Sequence, residues 1–309
     1  MEYKIIEKVE CGGSDRLFYR CIKENRTYIL VWDRDIKTLM KIQKHLADRG
    51  IGVPDIHWAD ENSNLLLMED LGKSSLYALV NETKNIYPLY RAAIRELIKL
   101  QIDGYPDVPI SDHYDYEHIK WEQDYFKTHF LHHFCGISKR RFRKFYDDLE
   151  RIAKSLLRKA KPWSNFLMHR DYQSQNIYIH KRKARVIDFQ SLRIGPLTYD
   201  LAALLKDSYV HLTEKQEEKL IDYYLECIKR RGIKFKKKEF MDVYRLTCLQ
   251  RIMQALGAFA NLTLNKRKPH FRQYIPRGLA LLQSTLSKSP FGQLYEFVSY
   301  PEVHEKCRV

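Results

Sequence analysis

The 309-residue sequence has no run approaching about 18 consecutive apolar residues, the length that a membrane-spanning helix needs. Its opening segment, MEYKIIEKVE, carries charges where a secretory signal would have an apolar stretch. The six cysteines are scattered and form no Cys-x-x-Cys pair, which disfavours both a zinc ribbon and a disulfide scaffold. We therefore expect a cytoplasmic protein that has reduced thiols and no membrane partner.

Positive charge, by contrast, is in excess, with 54 Lys and Arg against 39 Asp and Glu and a formal net charge of +15. Basic runs occur at 139–144, 229–238 and 266–268. Such runs can contact nucleic acid, but neither zinc-finger spacing nor an aromatic nucleic-acid-binding motif accompanies them. We expect solvated surfaces and no nucleic-acid partner, and the pattern indicates no particular oligomeric state.

The hydrophobic pattern changes near Gly72. Before it, short alternating runs such as 17–22, 27–32 and 64–68 predict strands, with one helix at about 35–49. After it the spacing is mostly helical, apart from one strand-like island at 177–188. The helices are predicted at about 86–103, 115–135, 139–160, 200–211, 214–231, 238–262 and 271–286. This pattern predicts an α+β fold with a small antiparallel-sheet lobe (1–72) and a large, mainly helical lobe (73–309).

The most informative stretch is MHRDYQSQNIYIHKRKARVIDFQ, which spans residues 168–190. Its apolar runs at 177–179 and 186–187 flank a polar tract and should pair as a β-hairpin. Such a hairpin would place Asn176, at the entry of one strand, beside Asp188, at the exit of the other.

Those residues suit phosphoryl transfer, which needs a carboxylate to orient the attacking hydroxyl and oxygen ligands for Mg²⁺. Asp171 fits the first role, while Asn176 and Asp188 fit the second. The spacing is the H-R-D-x-x-x-x-N and D-F-x arrangement of protein-kinase-like enzymes. It predicts a bilobal kinase fold with ATP and Mg²⁺ as cofactors. The alternative is that the three side chains only cap turns.

The number of residues between Asp188 and Asp200 indicates the kind of phosphoryl acceptor. Only eleven residues, 189 to 199, separate them. A kinase that phosphorylates peptides needs a longer activation segment with an A-P-E element, so we expect a small-molecule acceptor. Asp200 itself is interpreted either as a buried anchor for the catalytic-loop backbone or as a charge at a helix N-terminus.

The nucleotide side is less regular. Gly12-Gly13-Ser14 precedes a strand, as a phosphate-covering loop should, because small residues let backbone N–H groups approach phosphate oxygens. The strand at 28–33 lacks the lysine that usually binds the nucleotide phosphates, so Arg16 or Arg20 is predicted to supply the charge. Backbone groups from Glu69 to Leu71, at the lobe junction, are predicted to contact adenine. The alternative is that this segment is a plain interdomain turn.

These motifs together resemble the aminoglycoside-phosphotransferase-like group of small-molecule kinases. Within it, the likeness is strongest to bacterial kinases that phosphorylate the anomeric hydroxyl of N-acetylmuramate and N-acetylglucosamine. The likeness runs through most of the chain, in segments 12–20, 67–72, 169–176, 187–190, 195–202, 249–251, 256–260 and 274–277. It implies the protein-kinase-like fold and a sugar acceptor.

The same resemblance implies an acceptor pocket bordered by the helix at 115–135, where Glu122 and Tyr125 share a face and are candidates for binding sugar hydroxyls. The alternative is that this face is an aromatic core with a satisfied polar residue. Gln254 and Asn261 stand where the related kinases would have a lysine and an arginine.

Those two departures bear on the acceptor's charge. They favour a neutral sugar, or an acid held by another cation such as Arg193 or Arg251.

Two further functions stay open at this point. One is a kinase for another small hydroxyl compound, such as an aminoglycoside, a choline-like amino alcohol or a lipopolysaccharide sugar. The basic region after 240 disfavours the cationic acceptors. The other is a nucleotide-binding, pseudokinase-like module, suggested by the missing lysine and disfavoured by the intact Asp171, Asn176 and Asp188.

Overall fold

A computed structural model describes residues 3–9 and 16–307. The chain begins with an antiparallel sheet in the order β1-β2-β3-β5-β4. Its strands are β1 (Lys4–Val9), β2 (Leu17–Lys23), β3 (Arg26–Trp32), β4 (Ile56–Asp60) and β5 (Leu65–Glu69).

The tight turn between β2 and β3 explains their register. Glu24 and Asn25 both have positive φ, 52° and 60°, as the two central residues of a type I′ hairpin turn require. This turn pairs Lys23 with Arg26 and carries the pairing through to Leu17 opposite Trp32.

Helix α1 (Ile36–Asp48) lies between β3 and β4 in the chain. The Asp35 side chain accepts a hydrogen bond from the Thr38 amide and caps its N-terminus. Apolar residues at helical spacing, Ile36, Leu39, Ile42 and Leu46 among them, are buried. The helix predicted at 35–49 is therefore confirmed.

The remainder of the chain is mainly helical. Helix α8, the longest, passes through its centre and packs against α4, α6 and α9. The helices are α2 (Leu76–Glu82), α3 (Tyr87–Ile102), α4 (Tyr116–Tyr125), α5 (Tyr146–Ala160), α6 (Thr198–Leu205), α7 (Glu214–Arg230), α8 (Lys237–Leu264), α9 (Ile275–Leu286), α10 (Gly292–Val298) and α11 (Pro301–Cys307). Segments of 3₁₀ helix precede α5 at Lys139–Phe145 and α9 at Pro269–Tyr274.

The helix predicted at 115–135 is continuous but changes type. After α4 it proceeds as a π-helical segment, Phe126–Phe134, in which the Cys135 amide donates to the Phe130 carbonyl. This segment lies close to α8 at Gly257, where a Cβ would come within 2.8 Å of Tyr125 Cδ1. A side chain at position 257 would therefore push the two helices apart.

Two short two-stranded sheets lie between α5 and α6 in the chain. One pairs β6 (Phe166–Met168) with β9 (Arg193–Gly195), and the other pairs β7 (Ile177–His180) with β8 (Lys183–Val186). The hairpin predicted at 177–188 is confirmed, whereas the β6–β9 pair was not predicted. The helix predicted at 200–211 is wrong at its end, because α6 stops at Leu205.

The predicted α+β, protein-kinase-like fold class is confirmed by the sheet followed by helices and by the structural comparisons given below. The division at Gly72 stays a prediction. One cluster of buried apolar side chains continues from Val31 to Cys307 across that point. Within the described ranges, no helix is long and apolar enough to cross a membrane.

Candidate active site

The β7–β8 hairpin positions two of the predicted site residues. Ile177 pairs with Val186, and one step further out the Ile187 amide donates to the Asn176 carbonyl at 3.0 Å. Asn176 and Asp188 consequently lie at adjacent strand ends, as the hairpin pattern predicted. Asp188 has a left-handed backbone conformation, with φ 65° and ψ 36°, which is uncommon for a residue other than glycine.

The side chains at these strand ends suit a magnesium ion. The Asn176 amide nitrogen donates to the Asp171 carbonyl at 2.9 Å, so its side-chain oxygen is the atom left to act as a ligand. Asp188 adds a carboxylate that is 39% exposed. Hard oxygen donors of this kind are what Mg²⁺ prefers, and the residues present therefore fit the ion.

Asp171 lies on the loop that follows β6, and its side chain is 38% exposed. Arg251 of α8 donates to Asp171 Oδ1 at 3.2 Å and to Gln173 at 3.4 Å. Arg251 is itself only 7% exposed. Burial opposes its charge, yet the neighbouring acidic groups raise the pKa of this guanidinium, so it remains a cation beside Asp171.

Asp200 anchors the backbone of the loop that carries Asp171. Its two carboxylate oxygens accept the backbone N–H groups of His169 and Arg170 at 2.7 and 2.8 Å. Burial raises the pKa of Asp200, and the two N–H donors act in the opposite direction. The anchor interpretation of Asp200 is confirmed. The Arg170 amide that it fixes belongs to a residue with a φ of 75°, an uncommon backbone conformation that surrounding contacts must hold.

A second buried carboxylate, Asp207, does the same for the next part of the loop and was missed from the sequence. It accepts the backbone N–H groups of Ser174 and Tyr209 at 2.8 and 2.9 Å. A signal was present: Asp207 follows Asp200 by seven residues, about two helical turns, in a segment whose only other polar residue is Lys206. Two carboxylates therefore fix the loop that carries Asp171.

A cleft of about 220 Å³ opens between the N-terminal sheet and the hairpin. It brings together the predicted nucleotide residues Arg16, Arg20, Glu69 and Leu71 with Asn176 and Asp188. Its apolar lining includes Val31, Leu39, Met68 and Phe189. A concave apolar site with polar groups at one end is the usual form of a nucleotide pocket.

The two candidate arginines occupy different positions in this cleft. Arg16 forms an ion pair with Asp33, at the end of β3, and its other guanidinium nitrogen lies 3.4 Å from Asp188. Arg20 donates to Asp70 at 2.7 Å and is also paired with Glu7. The Asp70 carboxylate, bonded to Arg20, raises the pKa of that guanidinium. Arg16 therefore lies at the predicted metal end of the cleft, and Arg20 is held by two carboxylates nearer the junction.

This placement predicts that Arg16 supplies the phosphate-binding charge. We expect Arg16→Gln to raise the KM for ATP by at least about tenfold, which corresponds to the loss of one charge-assisted hydrogen bond of roughly 1.4 kcal/mol or more. The matched variant Arg20→Gln should change KM less. Steady-state kinetics at saturating acceptor measure both, and a larger effect at Arg20 would reverse the assignment.

Glu69 and Leu71 lie at the predicted junction. The Glu69 carboxylate is paired with Arg185 of β8, and its second oxygen accepts the Asp55 amide at 3.2 Å. This pair ties the hairpin to the end of β5. Contact of the Glu69–Leu71 backbone with adenine stays a prediction, and Gly12, Gly13 and Ser14 lie outside the described residues.

Glu122 is not at the cleft surface. Its side chain is fully buried and accepts hydrogen bonds from Tyr114 at 2.8 Å, Tyr199 at 2.5 Å and Gln250 at 2.9 Å. This environment matches the alternative of a core residue with its polar group satisfied. Glu122 therefore connects α4, α6 and α8, and this arrangement leaves it no open face for a sugar hydroxyl.

Tyr125 and Arg193 are partly exposed. Tyr125 accepts a hydrogen bond from Asn261 of α8 at 2.8 Å and stacks on Trp121. Arg193, in β9, donates to the His113 carbonyl at 3.2 Å, and its buried Nε has no hydrogen-bond partner among the described residues. Of the four residues predicted to bind the acceptor, Arg251 is the one that forms a hydrogen bond with Asp171.

Comparison with known proteins gives a consistent result. A family model described as the phosphotransferase enzyme family matches residues 11–235. A protein of Pseudomonas aeruginosa, named N-acetylmuramate/N-acetylglucosamine kinase, is 27% identical over 259 residues, covering 83% of this chain and 75% of its own. The protein of that name from Pseudomonas putida is 28% identical over 268 residues, covering 85% and 77%.

Solved structures resemble the fold at lower identity. A choline/ethanolamine kinase family protein from Mesorhizobium loti superposes with a TM-score of 0.60 at 15% identity, covering 94% of this chain and 92% of its own. An ADP-bound aminoglycoside phosphotransferase gives 0.57 at 15% identity, covering 92% and 93%. These likenesses establish the shared fold.

Proposed function

Since this chain belongs to the phosphotransferase enzyme family, we propose that it transfers the γ-phosphoryl group of ATP to a hydroxyl of a small sugar. The enzyme class, a kinase, follows from the family and from kinase-named relatives. The identity of the sugar, the cofactors ATP and Mg²⁺, the roles of individual residues and a cytoplasmic location belong to the proposal. So does the division into a nucleotide-binding lobe (1–72) and an acceptor lobe (73–309).

Asp171 is the group that acts on the acceptor. Its carboxylate orients the hydroxyl so that the oxygen faces the γ-phosphorus, and it takes the hydroxyl proton as the new oxygen–phosphorus bond forms. The bond from the γ-phosphorus to the bridging oxygen breaks, and ADP leaves. Held by Asn176 and Asp188, Mg²⁺ would neutralise phosphate charge. The partial exposure of Asp171 beside the buried Arg251 supports this role.

Arg251 positions that carboxylate. Its guanidinium lies 3.2 Å from Asp171 Oδ1 and is buried in α8, so the Asp171 rotamer is fixed by a rigid element. The same charge opposes a cationic acceptor. An aminoglycoside or a choline-like amino alcohol would bring positive charge toward this buried guanidinium, so we do not favour these substrates.

The single observation that carries the sugar proposal is the match with two Pseudomonas proteins named N-acetylmuramate/N-acetylglucosamine kinase over more than four-fifths of this chain. We accordingly propose N-acetylglucosamine or N-acetylmuramate as the acceptor, phosphorylated at the anomeric hydroxyl. Gln254 forms a hydrogen bond with Arg251 and adds no charge. This arrangement favours the neutral N-acetylglucosamine over the acidic N-acetylmuramate.

A panel of acceptors tests the proposal. With ATP–Mg²⁺ in excess, kcat/KM should be highest for N-acetylglucosamine, lower for N-acetylmuramate, and at least about a hundredfold lower for choline and kanamycin, equivalent to roughly 2.7 kcal/mol. ADP release in a coupled assay reports the rates. A preference for choline or kanamycin would overturn the sugar assignment, and ADP formation without any acceptor dependence would indicate a different function.

A further inference from the structure

A second concave site lies away from the catalytic cleft. It is a surface groove of about 820 Å³ between α3, α7 and the turn that joins β7 to β8. None of its lining residues lines the catalytic cleft. The lining comprises Asn85, Tyr87, Pro88, Arg91, Arg95, Arg182, Lys219, Asp222, Tyr223 and Glu226.

The groove holds an excess of uncompensated positive charge. Its four cations, Arg91, Arg95, Arg182 and Lys219, are exposed and form no ion pair with any carboxylate among the described residues. The two carboxylates of the lining are already paired, and with cations outside it: Asp222 with Lys237 at 2.5 Å, and Glu226 with Arg230.

Aromatic side chains contact three of these cations, Arg91, Arg95 and Lys219. The Arg91 guanidinium lies 4.9 Å from the centre of the Tyr223 ring, and Lys219 Nζ lies 5.5 Å from that of Tyr87. Arg95 donates to the Tyr223 hydroxyl at 3.2 Å and to the Arg182 carbonyl at 3.4 Å. These neutral partners orient the guanidinium groups without cancelling their charge. Side chains that are already oriented lose less conformational entropy when an anion binds.

We propose that this groove binds a small molecule that carries two or more phosphate groups. An arginine guanidinium can bind two phosphate oxygens at once through parallel hydrogen bonds. The three arginines and one lysine of the groove together match several negative charges. The volume is within the range of small-molecule sites. The four cations lie within one groove of this size, which favours a compact anion over a long nucleic-acid chain.

The proposal does not depend on the nature of the phosphoryl acceptor. Arg182, at the turn of the hairpin, is at the opposite end from Asn176 and Asp188. Binding in the groove and catalysis in the cleft can therefore be measured separately, and one can fail without the other.

Inorganic tripolyphosphate is a suitable probe, titrated calorimetrically into the full chain with the catalytic cleft saturated by ADP. The double variant Arg91→Gln/Arg95→Gln should bind it at least about tenfold more weakly than the wild type. The control Lys139→Gln/Arg140→Gln removes the same charge from exposed positions elsewhere and should weaken binding less than about twofold. Equal losses in both variants, or no binding to the wild type, would overturn the proposal.

A single substitution tests the groove even if the double variant fails to fold. Lys219→Gln removes one exposed cation of the groove and should weaken tripolyphosphate binding about threefold, with an unchanged thermal unfolding midpoint. An unchanged affinity in Lys219→Gln, together with a folded double variant that binds normally, would show that the groove is not the site.

Discussion

Replacing Asp171 by asparagine is expected to lower kcat by roughly 10²- to 10⁴-fold while leaving the affinity for ATP within about threefold of the wild type. The asparagine has the same shape, and its side-chain oxygen can still accept the hydrogen bond from Arg251. What it cannot do is take a proton from the acceptor hydroxyl. The backbone carbonyl of residue 171, which Asn176 holds, is unchanged.

Nucleotide binding measured by fluorescence titration and single-turnover phosphoryl transfer separate these two effects. Retained turnover in Asp171→Asn would show that another group orients the hydroxyl. A loss of ATP affinity as large as the loss of kcat would instead place Asp171 on the nucleotide side of the cleft.

Asp188→Asn is expected to have the second large effect. Removing its charge should lower kcat at least about a hundredfold and raise the concentration of Mg²⁺ needed for half-maximal activity, because metal coordination contributes several kcal/mol to charge stabilisation. Arg16 would also lose one of its two carboxylate partners. A Mg²⁺ titration of activity measures the shift.

The control for Asp188 is Asp107→Asn. That carboxylate is 94% exposed and pairs with Arg49 on the surface, so its loss should leave the Mg²⁺ requirement unchanged. An unaltered Mg²⁺ requirement in Asp188→Asn would remove this residue from the metal site.

The β7–β8 hairpin was predictable because the sequence pattern that defines it is local. Two apolar runs separated by a turn define β7 and β8, and Asn176 and Asp188 follow from where those strands begin and end. The fold class followed in the same way, from a period-2 pattern before Gly72 and a helical pattern after it. Helix α1 was predictable for the same reason, since it is capped by Asp35 and ends close to Gly50, both of which lie next to the helix in the sequence.

The β6–β9 pair could not be predicted, because strands of three residues are too short to show alternation. The early end of α6 has a tertiary cause. Asp207 turns inward to accept the amides of Ser174 and Tyr209, and this hydrogen bonding replaces further helix. Helices α2, α10 and α11, seven residues each, were missed because they are shorter than the 11 to 18 residues over which helical periodicity can be recognised.

Glu122 shows a second limit of prediction from the sequence. Helical spacing correctly placed it on one face with Tyr125, but spacing does not tell which element covers that face. Tyr199 and Gln250, which satisfy its carboxylate, come from positions 77 and 128 residues away. Arg251 and Asp171 are 80 residues apart in the sequence, so their contact could not be predicted without the structure.

If the Asp171 site phosphorylates a sugar hydroxyl with ATP, the mass of the product and the position of its phosphate will show it. Incubation with ATP–Mg²⁺ and N-acetylglucosamine should give a monophosphate about 80 Da heavier than the sugar, the mass of one transferred phosphoryl group. Its ³¹P signal should couple to the anomeric proton, and Asp171→Asn should yield almost none of it. A wild-type enzyme that consumes ATP without phosphorylating either acetylated amino sugar would show that these sugars are not its acceptors.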